Sequence, residues 1–128
     1  EWYRTLVTPS FNPPSWVFGP VWTTLYAMMG IAAGLVWRHG WDRPEVKTAL
    51  AIFAVQLALN AAWTPIFFGA HRLGAALAVI ILLWLAIVAT IWRFWPISTA
   101  AAWLLVPYLL WVSFATVLNA SLWRLNPS

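Results

Sequence analysis

The residues of this chain best placed to bind a small molecule lie in an otherwise apolar stretch, QLALNAAWTPIFFGAHR at 56–72. Gln56, Asn60, Trp63 and Phe67 follow at steps of four, three and four, so they form one stripe on a helix. An amide in hydrocarbon needs a hydrogen-bond partner, so the stripe should face the interior of a helix bundle. Two interpretations stay open: the amides join helices, or they line a cavity for a flat aromatic ligand.

Groups for acid–base, thiol or metal chemistry are scarce. The chain has no Cys, and its three carboxylates, Glu1, Asp42 and Glu45, lie between long apolar runs. His39 and His71 stand apart at predicted helix ends. No ionisable residue falls within the apolar runs, where proton relays and ion pathways have one. The sequence therefore predicts no metal site and argues against a conventional hydrolase, pump or redox metalloprotein.

Aromatic residues supply the other candidates, because twelve of the 128 residues are Trp. Most of them lie near predicted helix ends, as in an aromatic belt at the membrane surface. Trp84 and Trp111 fall well inside their helices, as does Trp63, and Trp22 shares a helix face with Tyr26. The last helix carries a cluster on neighbouring faces, formed by Trp111, Ala115, Leu118 and Asn119.

The elements that position these residues are predicted to be membrane-spanning helices. Hydrophobic residues make up 63% of the chain and charged residues 8%, against roughly a quarter charged in a soluble domain. Four uncharged runs each have the ~20 residues that a helix needs to cross the hydrocarbon layer. We predict an all-α membrane protein with a single domain over 1–128, and helices at about 16–37, 48–68, 73–92 and 98–123.

Local signals fix the helix ends. Ser15 can cap the first helix and Gly40 follows its end, while Asp42 with Glu45 resembles a capping box for the second. Pro65 removes one backbone donor and is expected to kink the second helix. The segment Pro96–Ile97–Ser98 opens the last helix.

The small residues and the basic residues each indicate what the helices can contact. Gly30 and Gly34 form a GxxxG pattern, which allows close helix packing within the bundle or between two copies in a homodimer. The seven Lys and Arg residues are spread over both ends of the helices, so membrane lipid is the expected surrounding and nucleic acid is not a partner.

Four segments resemble the translocator protein family (TspO/MBR), also called tryptophan-rich sensory proteins or peripheral benzodiazepine receptors. They are WY at 2–3, NPPSWVFGPVWTTLYAMMG at 12–30, QLALNAAWTPIFFGAHRLG at 56–74 and PYLLWVSFATVLNASLWRLN at 107–126. Together they cover nearly the whole chain in family order. The resemblance implies a fold of five helices, of which this chain carries the last four.

The resemblance also implies a ligand and a site. Such proteins bind porphyrins, notably protoporphyrin IX, inside the bundle, and no cofactor is required beyond the porphyrin as ligand. Some members degrade the porphyrin in light, which would involve Trp22 and Trp111. The residues that correspond to ligand-binding positions are Tyr3 in a lid and Trp22, Tyr26, Asn60, Trp63, Trp111, Ala115 and Leu118 in the pocket.

One residue departs from the family pattern and makes sterol binding less expected. The sterol-recognition pattern of animal members needs a Tyr directly after the LN pair, and this chain has Ala120 there. The change points to a bacterial membrane rather than the mitochondrial outer membrane. Two alternatives to a porphyrin receptor stay open, a lipid or sterol carrier and a membrane interaction scaffold.

Overall fold

The structure, a computed structural model, describes residues 18–69 and 72–126, and every regular element in these ranges is helical. The elements in chain order are α1 (Phe18–Trp37), α2 (Pro44–Thr64) with a π-helical turn (Pro65–Gly69), α3 (Leu73–Phe94), α4 (Thr99–Leu104) and α5 (Val106–Leu125). Within these ranges four spans are long and apolar enough to cross a membrane, with α4 and α5 together forming the fourth. The prediction of an all-α membrane protein with four spanning helices is confirmed.

Two helices extend further than their uncharged runs. α2 begins at Pro44, ahead of the predicted start near 48, because proline at the first helical position has a preset φ and needs no backbone partner. α3 continues through Arg93 to Phe94. An uncharged run marks the part of a helix that lies in hydrocarbon, and charged turns can extend it into the interface. The predicted start of α1 near residue 16, with the Ser15 cap, lies outside the described residues.

The second helix starts without the predicted capping box. Its N-cap is Arg43, which makes no side-chain cap bond, and Glu45 instead pairs with the Arg43 guanidinium at 2.5 Å. The turn before it depends on Gly40, whose backbone φ of +117° is rarely adopted by residues that carry a side chain. Gly40 thus ends α1 as predicted. The predicted opening of the last helix at Pro96–Ile97–Ser98 is confirmed, and the structure adds a cap there, since the Ser98 hydroxyl accepts the Ala101 N–H at 3.2 Å.

Proline interrupts two of the spans. Pro65 cannot donate to the carbonyl one turn earlier, and the helix there widens into the π-helical turn that ends at Gly69. The fourth span, predicted as one continuous helix over 98–123, breaks at Leu105 because Pro107 has no N–H to continue the ladder. Its first piece is the short α4.

α3 lies at the centre of the bundle. It packs along both α2 and α5, while α1 packs chiefly against α4 and touches α2 less. The backbones of α2 and α5 come close at few points, so long side chains have to bridge them. Fully buried residues from all four spans form the main core, including Val36, Val46, Ile87 and Val112.

The GxxxG pattern lies on the outer face of α1. Gly30 and Gly34 are exposed, and no described atom lies within 4 Å of a side chain built at either position. The pattern therefore does not join α1 to the described helices, and its use between two copies of the chain stays a prediction.

Candidate ligand-binding site between the helices

A chain of polar side chains crosses the bundle from α1 through α2 to α5. Tyr26 donates its hydroxyl to Asn60 Oδ1, and Asn60 Nδ2 donates to the Tyr108 hydroxyl at 2.9 Å. The Tyr108 hydroxyl donates in turn to Gln56 Oε1 at 2.7 Å, and Gln56 Nε2 lies 3.9 Å from the Met29 sulfur. Asn60, Gln56 and Tyr108 are almost completely buried. Each buried amide therefore has partners on other helices, as hydrocarbon requires.

The indole of Trp22 lies beside this polar chain and connects it to the aromatic residues of α5. Its ring centroid is 5.8 Å from Tyr26, 6.4 Å from Tyr108 and 6.5 Å from Trp111, the last two in edge-to-face orientation. These separations are typical of favourable aromatic pairs. Tyr26 is 45% exposed, whereas Trp22 and Trp111 are half-buried. One edge of the cluster is thus open while its polar end is enclosed.

A second polar pair closes the other end of the same helices. Trp63 donates its indole N–H to Asn119 Oδ1, and Asn119 Nδ2 donates to the Leu73 carbonyl, both at 3.0 Å. Trp63 also packs on Phe67 with ring centroids 4.9 Å apart. The pair links α2, α3 and α5 next to the π-helical turn. Asn119 therefore points into the bundle and joins helices, as expected of an amide in hydrocarbon.

The structure brings the predicted site residues together in two adjoining groups. In the first group, Tyr26 and Asn60 belong to the polar chain, and Trp22 packs against Tyr26 and Trp111. Ala115 lies in the same core cluster, while Leu118 packs with the group around Phe67. Trp63 contacts both groups. The lid residue Tyr3 lies outside the described residues.

The predicted direction of the amide stripe is confirmed. Gln56, Asn60 and Phe67 are at most 3% exposed, and Trp63 is half-buried. The tryptophans divide as the aromatic-belt interpretation requires. Those inside the helices are half-buried against the core, and those near helix ends within the described residues are exposed, namely Trp37, Trp41, Trp92, Trp95, Trp103 and Trp123.

Tyr108 is the central residue that sequence reasoning did not select as a site residue. Its hydroxyl joins the two amides of α2, and its ring packs against Trp22. One signal was available, because Tyr108 precedes Trp111 by three residues and so shares its helix face.

The fold and this site define a multi-pass α-helical membrane protein whose spans enclose a polar and aromatic centre. The model of the TspO/MBR family matches residues 1–124, and the chain belongs to this family. It is 50% identical to the tryptophan-rich protein TspO of Chlorobaculum tepidum and 45% identical to protein CrtK of Rhodobacter capsulatus. The human translocator protein is 47% identical. Each match covers 98% of this chain, and 80%, 79% and 75% of the respective relative. The protein is accordingly of the membrane translocator and sensor type.

Proposed function

We propose that the protein binds a flat tetrapyrrole, protoporphyrin IX in the first instance, between α1, α2 and α5, in a bacterial membrane. The observation that carries the proposal is the position of Asn60. Its amide lies among Trp22, Tyr26 and Tyr108, so hydrogen-bonding atoms and aromatic faces converge on one place. A porphyrin needs large apolar contact and a small number of polar contacts, which matches this composition.

The enclosed polar chain favours one way for such a ligand to bind. Asn60 already uses its oxygen for Tyr26 and its nitrogen for Tyr108. Tyr26 is the partly exposed partner, so a ligand entering at that edge would replace the Tyr26 bond and leave the buried bond to Tyr108 intact. The indoles of Trp22 and Trp111 would then pack against the macrocycle. Exchanging one hydrogen bond for another costs little, and the apolar contact supplies the net affinity.

A porphyrin titration in the dark tests this arrangement. The purified protein in detergent is titrated with protoporphyrin IX, and tryptophan quenching and the porphyrin absorption band are followed. Asn60→Ala should weaken binding about fivefold, because a polar group of the ligand would then be buried without a partner, at a cost of about 1 kcal/mol. Trp111→Phe should weaken it by a similar factor, because a smaller ring gives less aromatic contact.

Two matched variants serve as controls for the titration. Asn119→Ala removes an amide from the same bundle but from the pair around Trp63 and Leu73. Trp84→Phe removes an indole that bonds Ser113 at 2.8 Å, away from Asn60. Both should bind porphyrin nearly as the wild type does. Binding that Asn60→Ala and Trp111→Phe leave unchanged would contradict the proposed site. Lipid carriage or a scaffold role would then be the better account.

The edge-to-face pair of Trp22 and Trp111 favours a second candidate function, light-dependent degradation of the bound porphyrin. An excited porphyrin passes its energy to dioxygen or takes an electron from a neighbouring indole. We expect illumination in air to bleach the bound porphyrin, and Trp22→Phe to change the rate per bound ligand at saturation. Trp84→Phe is again the control. A bleaching rate equal to that of free porphyrin in the same detergent would refute any role for the protein.

A further inference from the structure

A small cavity lies at the end of the bundle where α1 ends and α2 begins. It has a volume of about 250 Å³ and is lined by His39, Arg43, Glu45, Val46, Arg93, Pro96 and Ile97. These residues come from the α1–α2 and α3–α4 connections and from the adjoining turns of α2 and α3, which antiparallel packing brings to the same membrane face. The volume is slightly below the roughly 300–1,000 Å³ of pockets for drug-sized ligands, so the cavity suits a compact headgroup.

Of the two arginines in the cavity lining, Arg43 forms an ion pair and Arg93 forms none with a described residue. Arg43 is held by Glu45 at 2.5 Å and donates from Nη1 to the His39 carbonyl at 3.3 Å. Arg93 lies over the Trp92 ring at 5.3 Å, and among the described residues no carboxylate forms an ion pair with it. Two guanidinium groups and one carboxylate leave a net charge of +1 on the lining. A single negative charge would balance it.

The surroundings put this cavity at the level of lipid headgroups. Exposed tryptophans encircle the same end of the bundle, at Trp37, Trp41, Trp92, Trp95 and Trp103, with Trp37 stacked on Trp41 at 6.1 Å. Such aromatic belts mark the membrane–water interface. The accessible apolar side of the lining, formed by Pro96 and Ile97, can contact the glycerol and the first methylenes of a lipid.

We propose that this cavity binds the phosphodiester of an anionic phospholipid, with Arg93 as the main contact and Arg43 as the second. The planar guanidinium matches two phosphate oxygens, and a phosphodiester carries the single charge that the lining lacks. A phosphatidylglycerol headgroup adds no positive charge, whereas the choline of phosphatidylcholine would lie against the two arginines. The site is separate from the porphyrin site and does not depend on it.

Lipid retention by the purified full chain tests the proposal. Native mass spectrometry from detergent counts short-chain phosphatidylglycerol or phosphatidylcholine bound per chain across a lipid titration. The wild type should hold one phosphatidylglycerol more tightly than phosphatidylcholine. Arg93→Gln should weaken phosphatidylglycerol about five- to tenfold, the effect of one basic side chain near an anionic headgroup.

Two further variants separate the cavity from general surface charge. Arg38→Gln removes the same charge on the same membrane face but outside the cavity lining, and should change the affinity by less than about twofold. Glu45→Gln frees Arg43 and removes the one carboxylate, so it should tighten binding, a direction that misfolding cannot produce. Equal losses in Arg38→Gln and Arg93→Gln would overturn the proposal. So would displacement of the lipid by glycerol 3-phosphate, which would mark the cavity as a site for soluble phosphates.

Discussion

The hydroxyl of Tyr108 should be the most important single polar atom for the stability of this bundle. It accepts from Asn60 at 2.9 Å and donates to Gln56 at 2.7 Å, in a residue with no exposed surface. Tyr108→Phe keeps the ring and deletes both hydrogen bonds. Side-chain hydrogen bonds between membrane helices average about 0.6 kcal/mol and reach about 1.7, so two of them give about 1–3 kcal/mol. The two amide atoms left without a partner favour the upper part of that range.

Unfolding in mixed micelles with increasing sodium dodecyl sulfate measures this loss, with far-UV circular dichroism as the signal. Tyr26→Phe is the matched control, because it deletes one hydrogen bond, to Asn60, from a side chain that is 45% exposed. Its loss should be the smaller, about 0.6 kcal/mol. The double variant should deviate from the sum of the two by about 0.5 kcal/mol or more, since both tyrosines bond the same amide. A Tyr108→Phe protein as stable as the wild type would refute the reasoning.

Three further substitutions test the local account of the helices, each by thermal melting in detergent. Ser98→Ala removes the cap that accepts the Ala101 N–H and should cost about 1 kcal/mol, so an unchanged melting temperature would contradict the cap. Thr90→Val deletes a hydroxyl that donates to the Ala86 carbonyl of its own helix and bonds no other helix among the described residues, so it should change stability by less than about 0.5 kcal/mol. Gly30→Ala should leave melting unchanged or raise it slightly, because no described atom lies near the added methyl group; a clear loss would reveal a contact on this face.

The helices could be predicted well because membrane physics leaves few alternatives. Uncharged runs of spanning length must be helical, and the end of α1 at Gly40 and the opening of the last helix at Pro96–Ile97–Ser98 follow from local chemistry. The break at Leu105 could not be placed in the same way. Pro107 was visible in the sequence, but a proline can end, kink or begin a helix, and only the packing of the two pieces selects one outcome. The uncharged run placed the start of α2 too late, because loss of hydrophobicity does not end a helix, whereas the Asp42 and Glu45 pair pointed to the start near Pro44 without forming the expected cap.

The inward orientation of the site residues could be predicted from the sequence, but their hydrogen-bond partners could not. Helical periodicity correctly predicted that Gln56 and Asn60 face the interior of the bundle. It could not supply their partners, because Tyr26 and Tyr108 lie more than thirty residues away along the chain from Asn60. Pairing between distant residues depends on how the helices are rotated and offset against each other. That information is spread over the whole core rather than carried by any one segment.

Asn60 also explains why one pattern of residues supported two interpretations. A polar group in a membrane bundle has to be satisfied whether or not a ligand is present, so an amide that recognises a ligand must bond its neighbours when the site is empty. Packing and recognition therefore impose the same residue types at the same spacing.

The two roles differ in their effects on stability and on binding. If Asn60 serves packing alone, Asn60→Ala lowers the free energy of unfolding and leaves porphyrin affinity unchanged. If it also contacts the ligand, both quantities fall, and Asn119→Ala lowers stability alone. Measuring unfolding and binding on the same pair of variants thus separates two roles that no inspection of spacing or burial can distinguish.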